Sequence, residues 1–335
     1  MNSNFSAKMT KLEPTWQGIP VEVKEIVLKY LEYKWRFRLR VCSKSDKYLI
    51  DNSRVFLKQV ELYKNPLVLL INSDLEIHKN VIAHLLGIFK SKNSKVKSLI
   101  LDSKQLAKLS LESENPLKIQ EAYFKTFGMS QQNFIRLFQK IDGKSIKSIS
   151  FRRNLSEDLI DQLVKTDAWK NALRIFCYGR QDIPMDHVLG RNHFRAQFIN
   201  LEPIGIWKLI KSIITRDNLE SGFGFRINYL NEISQNDIEA GFKENPGIVR
   251  NEQWQFSTEH SCSYIFPVNT KNRIFVLRMR RSGFNGYDIE GYVCTENYTD
   301  DEFRKYGSWI PKNHEIVNHR IRRGNFHIVN TFLNL

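Results

Sequence analysis

Four cysteines and eight histidines are the side chains with which this chain of 335 residues could hold a metal or attack a carbonyl. Cys42, Cys177, Cys262 and Cys294 are scattered, with no Cys-x-x-Cys pair. No His-Glu-x-x-His motif and no Cys/His cluster at zinc spacing occurs. The Gly-x-Ser-x-Gly elbow, the phosphate-binding loop, the dinucleotide fingerprint and the kinase signature are also missing. Gly222-Phe223-Gly224 lacks the third glycine, and Glu112 and Glu114 have no base, orienting group and pocket to work with. No catalytic, cofactor-binding or metal-ligating residue is nominated, and no cofactor is expected.

The charge offers binding chemistry instead. The formal net charge is +15, a footprint for polyanion attraction. Basic residues gather at Lys271, Arg273, Arg278, Arg280 and Arg281, and again at Arg320, Arg322 and Arg323, with Phe275 and Phe284 close by. Strand alternation would set Arg278 and Arg280 on one face, and Arg273 and Arg281 on the other. Such a split suits a face for an acidic protein better than a groove along a phosphate backbone. A basic nucleic-acid-binding protein stays as the alternative, without RRM, KH or helix-turn-helix wording to support it.

Apolar residues organise the chain most clearly between Trp16 and Asp51. Pro20 suits the start of a helix, and Val23, Ile26, Val27, Tyr30 and Leu31 follow as one stripe at helical spacing. Trp35 to Val41 alternates apolar and basic residues, and Ser43 to Asp46 offers caps for a third helix with Tyr48, Leu49 and Ile50. Three short helices make too small a body to hide every apolar face, so something must cover the remainder.

Ile19-Pro20-x-Glu22, Ile26-Val27-x-x-Tyr30-Leu31 and Leu39-Arg40-Val41-Cys42-Ser43 resemble an F-box. Many F-boxes have a Trp shortly after the Cys, where this chain has Ser45-Asp46-Lys47-Tyr48. The Cys-Ser-Lys-x-Asp wording is similar to the expanded nematode F-box families, which often carry a Fog-2-homology-type region (FTH, DUF38). The Trp169-Lys170-x-Ala172 turn looks like that second region. The resemblance implies a Skp1-type adaptor bound through Ile19, Pro20, Val23, Ile26, Val27, Leu31, Leu39, Val41 and Cys42, or through their support of the fold. It also implies a cullin complex that carries out ubiquitin transfer, and a protein target. The chain itself would be a non-catalytic substrate-recognition adaptor of an SCF-type ligase. A scaffold unconnected with ubiquitin is the other reading.

Further along, strand-like segments occur at Val55 to Tyr63, Leu67 to Ile71, Val96 to Leu101, Ile146 to Phe151, Leu173 to Tyr178, Arg195 to Leu201 and Phe223 to Ile227. Helical stretches lie between them at His78 to Lys90, Phe134 to Ile141, Leu155 to Trp169 and Ile206 to Ile214. From Lys95 a strand and a helix recur roughly every 20–29 residues, the period of leucine-rich repeats. Residues 104–130 interrupt it with Leu106 to Leu111 and a helix-like Ile119 to Phe127. Trp169 is read as a plug between helix and sheet. From Trp254 short β-like segments separated by turn residues suggest a meander, and residues 298–325 a tail strand and loop, with a last strand at Phe326 to Val329.

The fold expected is mixed, α+β or α/β. It has a flexible 1–15, a trihelical F-box over 16–54, a leucine-rich-repeat-like strand–helix region over 55–235 and an antiparallel β meander over 236–335. The first 15 residues show no apolar signal core and the longest aliphatic run, Leu67 to Ile71, is too short to span a membrane. A cytoplasmic or nuclear location with reduced cysteines is therefore expected.

Overall fold

A computed structural model describes residues 15–63, 68–72, 75–90, 94–102, 115–125, 130–152, 154–180, 183–198, 200–229, 235–242, 248–251, 261–282 and 286–307. The expectations for Leu106 to Leu111, Trp254 to Phe256 and Phe326 to Val329 fall outside them. The protein is mixed α/β and divides into two compact units, Met1–Ile199 and Asn200–Leu335.

The first unit begins with the helical module. A 3-10 turn at Trp16–Gly18 leads into α1 (Val21–Tyr30), α2 (Tyr33–Leu39) and α3 (Lys44–Asn52). Pro20 stands at the N-cap of α1, its fixed φ compatible with the extended backbone there. Ser43 caps α3 by accepting a hydrogen bond from the Asp46 N–H at 3.0 Å.

The sheet of this unit contains β1 (Phe56–Tyr63), β2 (Val68–Ile71), β3 (Leu75–Ile77), β4 (Lys95–Leu101), β5 (Ile119–Phe124), β6 (Ser148–Phe151), β7 (Arg174–Arg180) and β8 (His193–Phe198). β1, β4, β5, β6, β7 and β8 pair in parallel in that order, while β2 pairs antiparallel with β1 and β3 with β2. Parallel neighbours need crossovers, and the chain supplies α4 (Val81–Lys90), α5 (Gln131–Gln139), α6 (Glu157–Leu163) and α7 (Asp167–Asn171).

One sheet face is aromatic. Phe124 on β5 meets Phe134 and Phe138 of α5, with ring centroids 5.1 and 5.9 Å away, and Phe151 on β6 stacks on Trp169 of α7 at 6.1 Å. Trp169 is fully buried, and its indole N–H donates to the His187 carbonyl at 3.1 Å. A buried Trp with a satisfied N–H is a packing residue.

Two sequence expectations need correction here. Ile119 to Phe127 holds the strand β5, not a helix. Ile119, Ala122 and Tyr123 mimic helical spacing, but a central parallel strand is buried on both faces and need not alternate. The single helix expected over Leu155 to Trp169 is two, because Thr166 restarts it by accepting from the Trp169 N–H at 3.2 Å.

The second unit contains α8 (Pro203–Ile214), β9 (Gly224–Tyr229), α9 (Gln235–Ala240), β10 (Val249–Asn251), β11 (Ser261–Pro267), β12 (Arg273–Ser282), β13 (Gly286–Thr295) and α10 (Asp300–Gly307). β10, β11, β12, β13 and β9 pair antiparallel in that order. The segment expected as a repeat strand, Phe223 to Ile227, is therefore partnered with β13. Phe225, Phe266 and Phe275 share one sheet face, and Trp207 of α8 joins them, 6.4 Å from Phe266. Gly291 makes room for them: a Cβ there would stand 2.4 Å from the Phe275 ring and 3.1 Å from that of Phe225.

Residues 300–307, expected as strand and loop, form the helix α10. Its signal was present in Thr299-Asp300-Asp301-Glu302, since the Thr299 hydroxyl accepts from the Glu302 N–H at 3.2 Å. Phe303 of α10 packs with Val276, Tyr292 and Cys294 on the other side of the sheet.

Candidate protein-docking module

The helical module is polar inside and apolar outside. On α1 the buried residues are Lys24 and Leu28, one turn apart, and Arg36, Asp46 and Ile50 are buried with them. None of the stripe read in the sequence, Val23, Ile26, Val27, Tyr30 and Leu31, is fully buried. Val23, Ile26 and Tyr30 are exposed, and Val27 and Leu31 are half-buried.

Asp46 is the hub. Its carboxylate accepts from the Trp16 indole N–H at 2.8 Å and from the Ser43 hydroxyl at 2.7 Å, and the Lys24 ammonium lies 3.7 Å away. Burial works to raise its pKa, but the hydrogen bonds from Ser43 and Trp16 and the charge of Lys24 prevail and hold it below the ordinary carboxylate value. Lys24 also sits 5.3 Å from the Trp16 ring, so turn, α1 and α3 are tied through one charge-assisted cluster.

Arg36 does the same for α2. Its guanidinium donates to the Leu31 carbonyl at 3.0 Å and to the Arg54 carbonyl at 2.7 Å, joining the ends of α1 and α3. Burial lowers its pKa and pushes the Tyr33 phenol up to about 12. Arg40 grips Asp51 with two hydrogen bonds, 2.6 and 3.1 Å, at the surface.

Of the nine residues nominated for adaptor contact, Pro20, Val23, Ile26, Val41 and Cys42 are exposed. Ile19, Val27, Leu31 and Leu39 are half-buried, and none is fully buried. Sequence reasoning missed further exposed apolar groups: Val21, Trp35, which lies 4.6 Å under the Arg38 guanidinium, and Tyr48, which is 75% exposed. Helical spacing from Val23 would have reached Trp35 and Tyr48 only if the angles between helices had been known. Solvated apolar groups at this density mark a surface meant to be covered.

The basic cluster of the second unit is different from its sequence reading. Arg278 is only 5% exposed, is paired with Asp300, and lies 4.0 Å from the Phe303 ring. Arg280 is held by Asp288 at 2.8 Å, and Arg226 by Glu290 at 3.2 Å and Asp288 at 3.5 Å. Arg273 donates to the Asn272 carbonyl, and the side chain of Arg281 lies outside the described residues. Cross-strand register brings Arg226, Arg278, Arg280, Asp288 and Glu290 onto one face, where carboxylates spaced far away in sequence neutralise the arginines. The expected basic face for an acidic partner is not formed by Arg278 and Arg280.

Among the described residues no three His, Cys, Asp or Glu side chains gather as a metal site. Cys177, Cys262 and Cys294 are buried free thiols, and burial drives the Cys177 and Cys294 pKa values upward. Cys42 is free and exposed. No helix among the described residues is long and apolar enough to cross a membrane.

Within the first unit a small helical module with an exposed apolar surface precedes a largely parallel α/β sheet. The F-box domain model matches residues 16–58 and the FTH domain model matches residues 103–245. The chain is an F-box protein with an FTH domain. An F-box domain implies binding to Skp1 within an SCF complex, and F-box proteins are generally non-catalytic adaptors of such ligases. No curated protein matches the chain. One similar solved structure is an S-adenosylmethionine-dependent methyltransferase from Clostridium acetobutylicum ATCC 824, with 11% identity and a TM-score of 0.15. The alignment covers 51% of this chain and 66% of that one, and at that score it carries no argument.

Proposed function

We propose that this protein is a non-catalytic substrate-recognition adaptor of an SCF-type ubiquitin ligase. The α1–α3 module docks a Skp1-type adaptor, which links the chain to a cullin complex. The exposed Pro20, Val23, Ile26, Val41 and Cys42 supply the contact, and the half-buried Ile19, Val27, Leu31 and Leu39 support it from below. The observation that carries this reading is the inverted burial of the module, with Lys24, Arg36 and Asp46 inside and Val23, Ile26, Tyr30 and Val41 outside. Polar groups fix the shape while apolar groups wait for a partner.

The α/β region beyond residue 55 selects the protein target, and partner subunits carry out ubiquitin transfer in the cytoplasm or nucleus. The run β4 to β8 serves as a leucine-rich-repeat-like platform. Its support is the parallel pairing of strands in chain order, with helices α5 to α7 on the way. The scaffold reading without ubiquitin differs in one property, the absence of a Skp1-type partner. Co-purification of the full chain with a Skp1-type protein, against a Val23→Glu, Ile26→Glu variant, decides. Capture by wild type and loss in a variant that melts normally support the adaptor role. Wild-type protein that brings down no Skp1-type protein supports the scaffold.

A further inference from the structure

Parallel pairing brings four side chains of different chemistry into one row at the carboxyl ends of neighbouring strands. Leu62, Leu101, Phe124 and Phe151 are aligned across β1, β4, β5 and β6. The residues that follow them are Tyr63, Asp102, Lys125 and Arg152. The N–H groups of the last three donate to the carbonyls of Leu62, Leu101 and Phe124 at 2.9, 2.9 and 3.0 Å. Phe124 and Phe151 face the helices, so strand alternation turns the row to the opposite face. Glu61, Ile100 and Tyr123, two residues earlier on β1, β4 and β5, are buried on that same face. In open sheets of parallel strands, ligands gather in the crevice beyond the carboxyl ends.

Lys125 is the group that this row leaves without an acceptor. It is 7% exposed, and its ammonium lies 5.4 Å from the Tyr63 ring. Among the described residues that ammonium makes no hydrogen bond and no ion pair. The nearby Glu61 carboxylate is already taken, accepting from the Gln59 amide and the Tyr63 hydroxyl. Burial lowers the Lys125 pKa, the charges of Glu61 and Asp102 oppose that, and Arg152 adds to it. A buried cation is costly unless it is paired, so its pairing group is to be sought outside the chain. The surrounding charge is balanced: Glu61 and Asp102 match Lys125 and Arg152, and further down the face Glu121 and Arg174 flank Ser148. A ligand with a net charge finds no field to draw it there.

We propose that Lys125, with Asp102 and Arg152, forms a binding site for a small zwitterion, a free α-amino acid. The carboxylate of the ligand accepts from Lys125 and Arg152, and its ammonium donates to Asp102. Adjacent strands stand about 4.8 Å apart, so Asp102 and Lys125 are spaced to hold the two charged ends of one amino acid. A carboxylate has about four lone-pair sites, so Asp102 serves this ammonium beside the partners it already has. A simple carboxylate would be repelled by Glu61 and Asp102, and a simple amine by Lys125 and Arg152. Asp102 is half-buried and Arg152 exposed, which opens the row to solvent on that side. The site lies on the sheet and does not depend on the adaptor reading.

The test is saturation-transfer NMR on the full chain with L-alanine, L-leucine and L-phenylalanine, and with acetate and ethylamine as the two halves of the ligand. Wild type should bind at least one amino acid and hold either half about tenfold more weakly, because each half lacks one charge-assisted hydrogen bond. Lys125→Met keeps the apolar stem and removes the charge. It should abolish amino-acid binding while melting no lower than wild type, since an unpaired buried ammonium is lost with it. Arg152→Gln, at an exposed position, should weaken binding about tenfold with the melting temperature unchanged. Arg280→Gln, in the second unit, should change nothing. Early melting of Lys125→Met would overturn the proposal, because the lysine would then be a member of the fold's own ion pairs. Acetate bound as tightly as the amino acids would replace it with a plain anion site. No amino acid bound by wild type, or binding indifferent to both Lys125→Met and Arg152→Gln, would end it. Skp1-type capture should be the same for wild type and Lys125→Met, so failure of this site and failure of the adaptor reading are seen separately.

Discussion

The helical module and the two sheet units solve the same problem in opposite ways. The sheet units are built on buried Phe124, Phe151, Trp169, Phe225, Phe266 and Phe275, with a few buried charges such as Glu61, Arg278 and Asp288 among them. The module, Trp16 to Asn52, buries Lys24, Arg36 and Asp46 around little more than Leu28 and Ile50, and leaves Val21, Val23, Ile26, Tyr30, Trp35, Val41 and Tyr48 in water. A body of under forty residues cannot bury enough apolar surface to stand on that alone. Hydrogen bonds and ion pairs hold its shape, and its apolar surface is left for association. In the module the residues that hold the shape and those left exposed are different sets.

Four experiments would break or sharpen that contrast. Trp169→Ala should have the largest effect, about 3–5 kcal/mol of lost stability in denaturant unfolding of the full chain, since the indole is fully buried and stacked. A midpoint unmoved by that change would show that the first sheet is not apolar-stabilised in the sense argued. Asp46→Ala should follow at roughly 1–3 kcal/mol, because it strands the buried Lys24 and the Trp16 and Ser43 donors. If the module tolerates it without loss of helical signal or melting temperature, the polar interior is incidental.

The third experiment is a pH series. His193 titrates near 4 when folded against an ordinary value of about 6.5. The unfolded chain therefore binds more protons between those values, and stability falls as pH drops from about 6.5 towards about 4. Asp46, with its lowered folded pKa, adds a loss at still lower pH, as the medium passes through that value. His193→Gln should flatten the first part of the curve and leave the second. A wild-type curve flat from pH 7 to 4 would contradict the burial of His193. The smallest effect on stability belongs to Tyr30→Ser and Val41→Ser, expected within about 0.5 kcal/mol of wild type because both side chains are solvated. The same pair should reduce Skp1-type binding clearly. Destabilisation well above that figure would mean that these apolar groups belong to the module's own core.

Local wording along the chain carried a good deal. Ile19-Pro20-x-Glu22 and Leu39 to Ser43 located the module, and Trp169 was legible as a plug because it ends a helix-like stretch just before a strand. The strands β4, β6, β7 and β8 were visible as apolar runs between turns. These are properties of near neighbours in sequence, where propensity, capping and periodicity act.

The tertiary structure decided what neighbours could not. Val23 and Leu28 are both apolar, but Leu28 is buried one turn from Lys24, which pairs with Asp46 of α3, while Val23 is exposed. Ile119 to Phe124 has helical spacing, and only its place between β4 and β6 makes it a strand. Arg278 and Arg280 look like free charge beside Lys271 and Arg273, and only the register of β12 against β13 brings Asp288 and Glu290 to neutralise that face. Tyr63, Asp102, Lys125 and Arg152 lie far apart in the chain, and parallel pairing alone sets them in one row. Sequence spacing fixes which residues are close along one element, while charge and burial depend on which elements lie side by side.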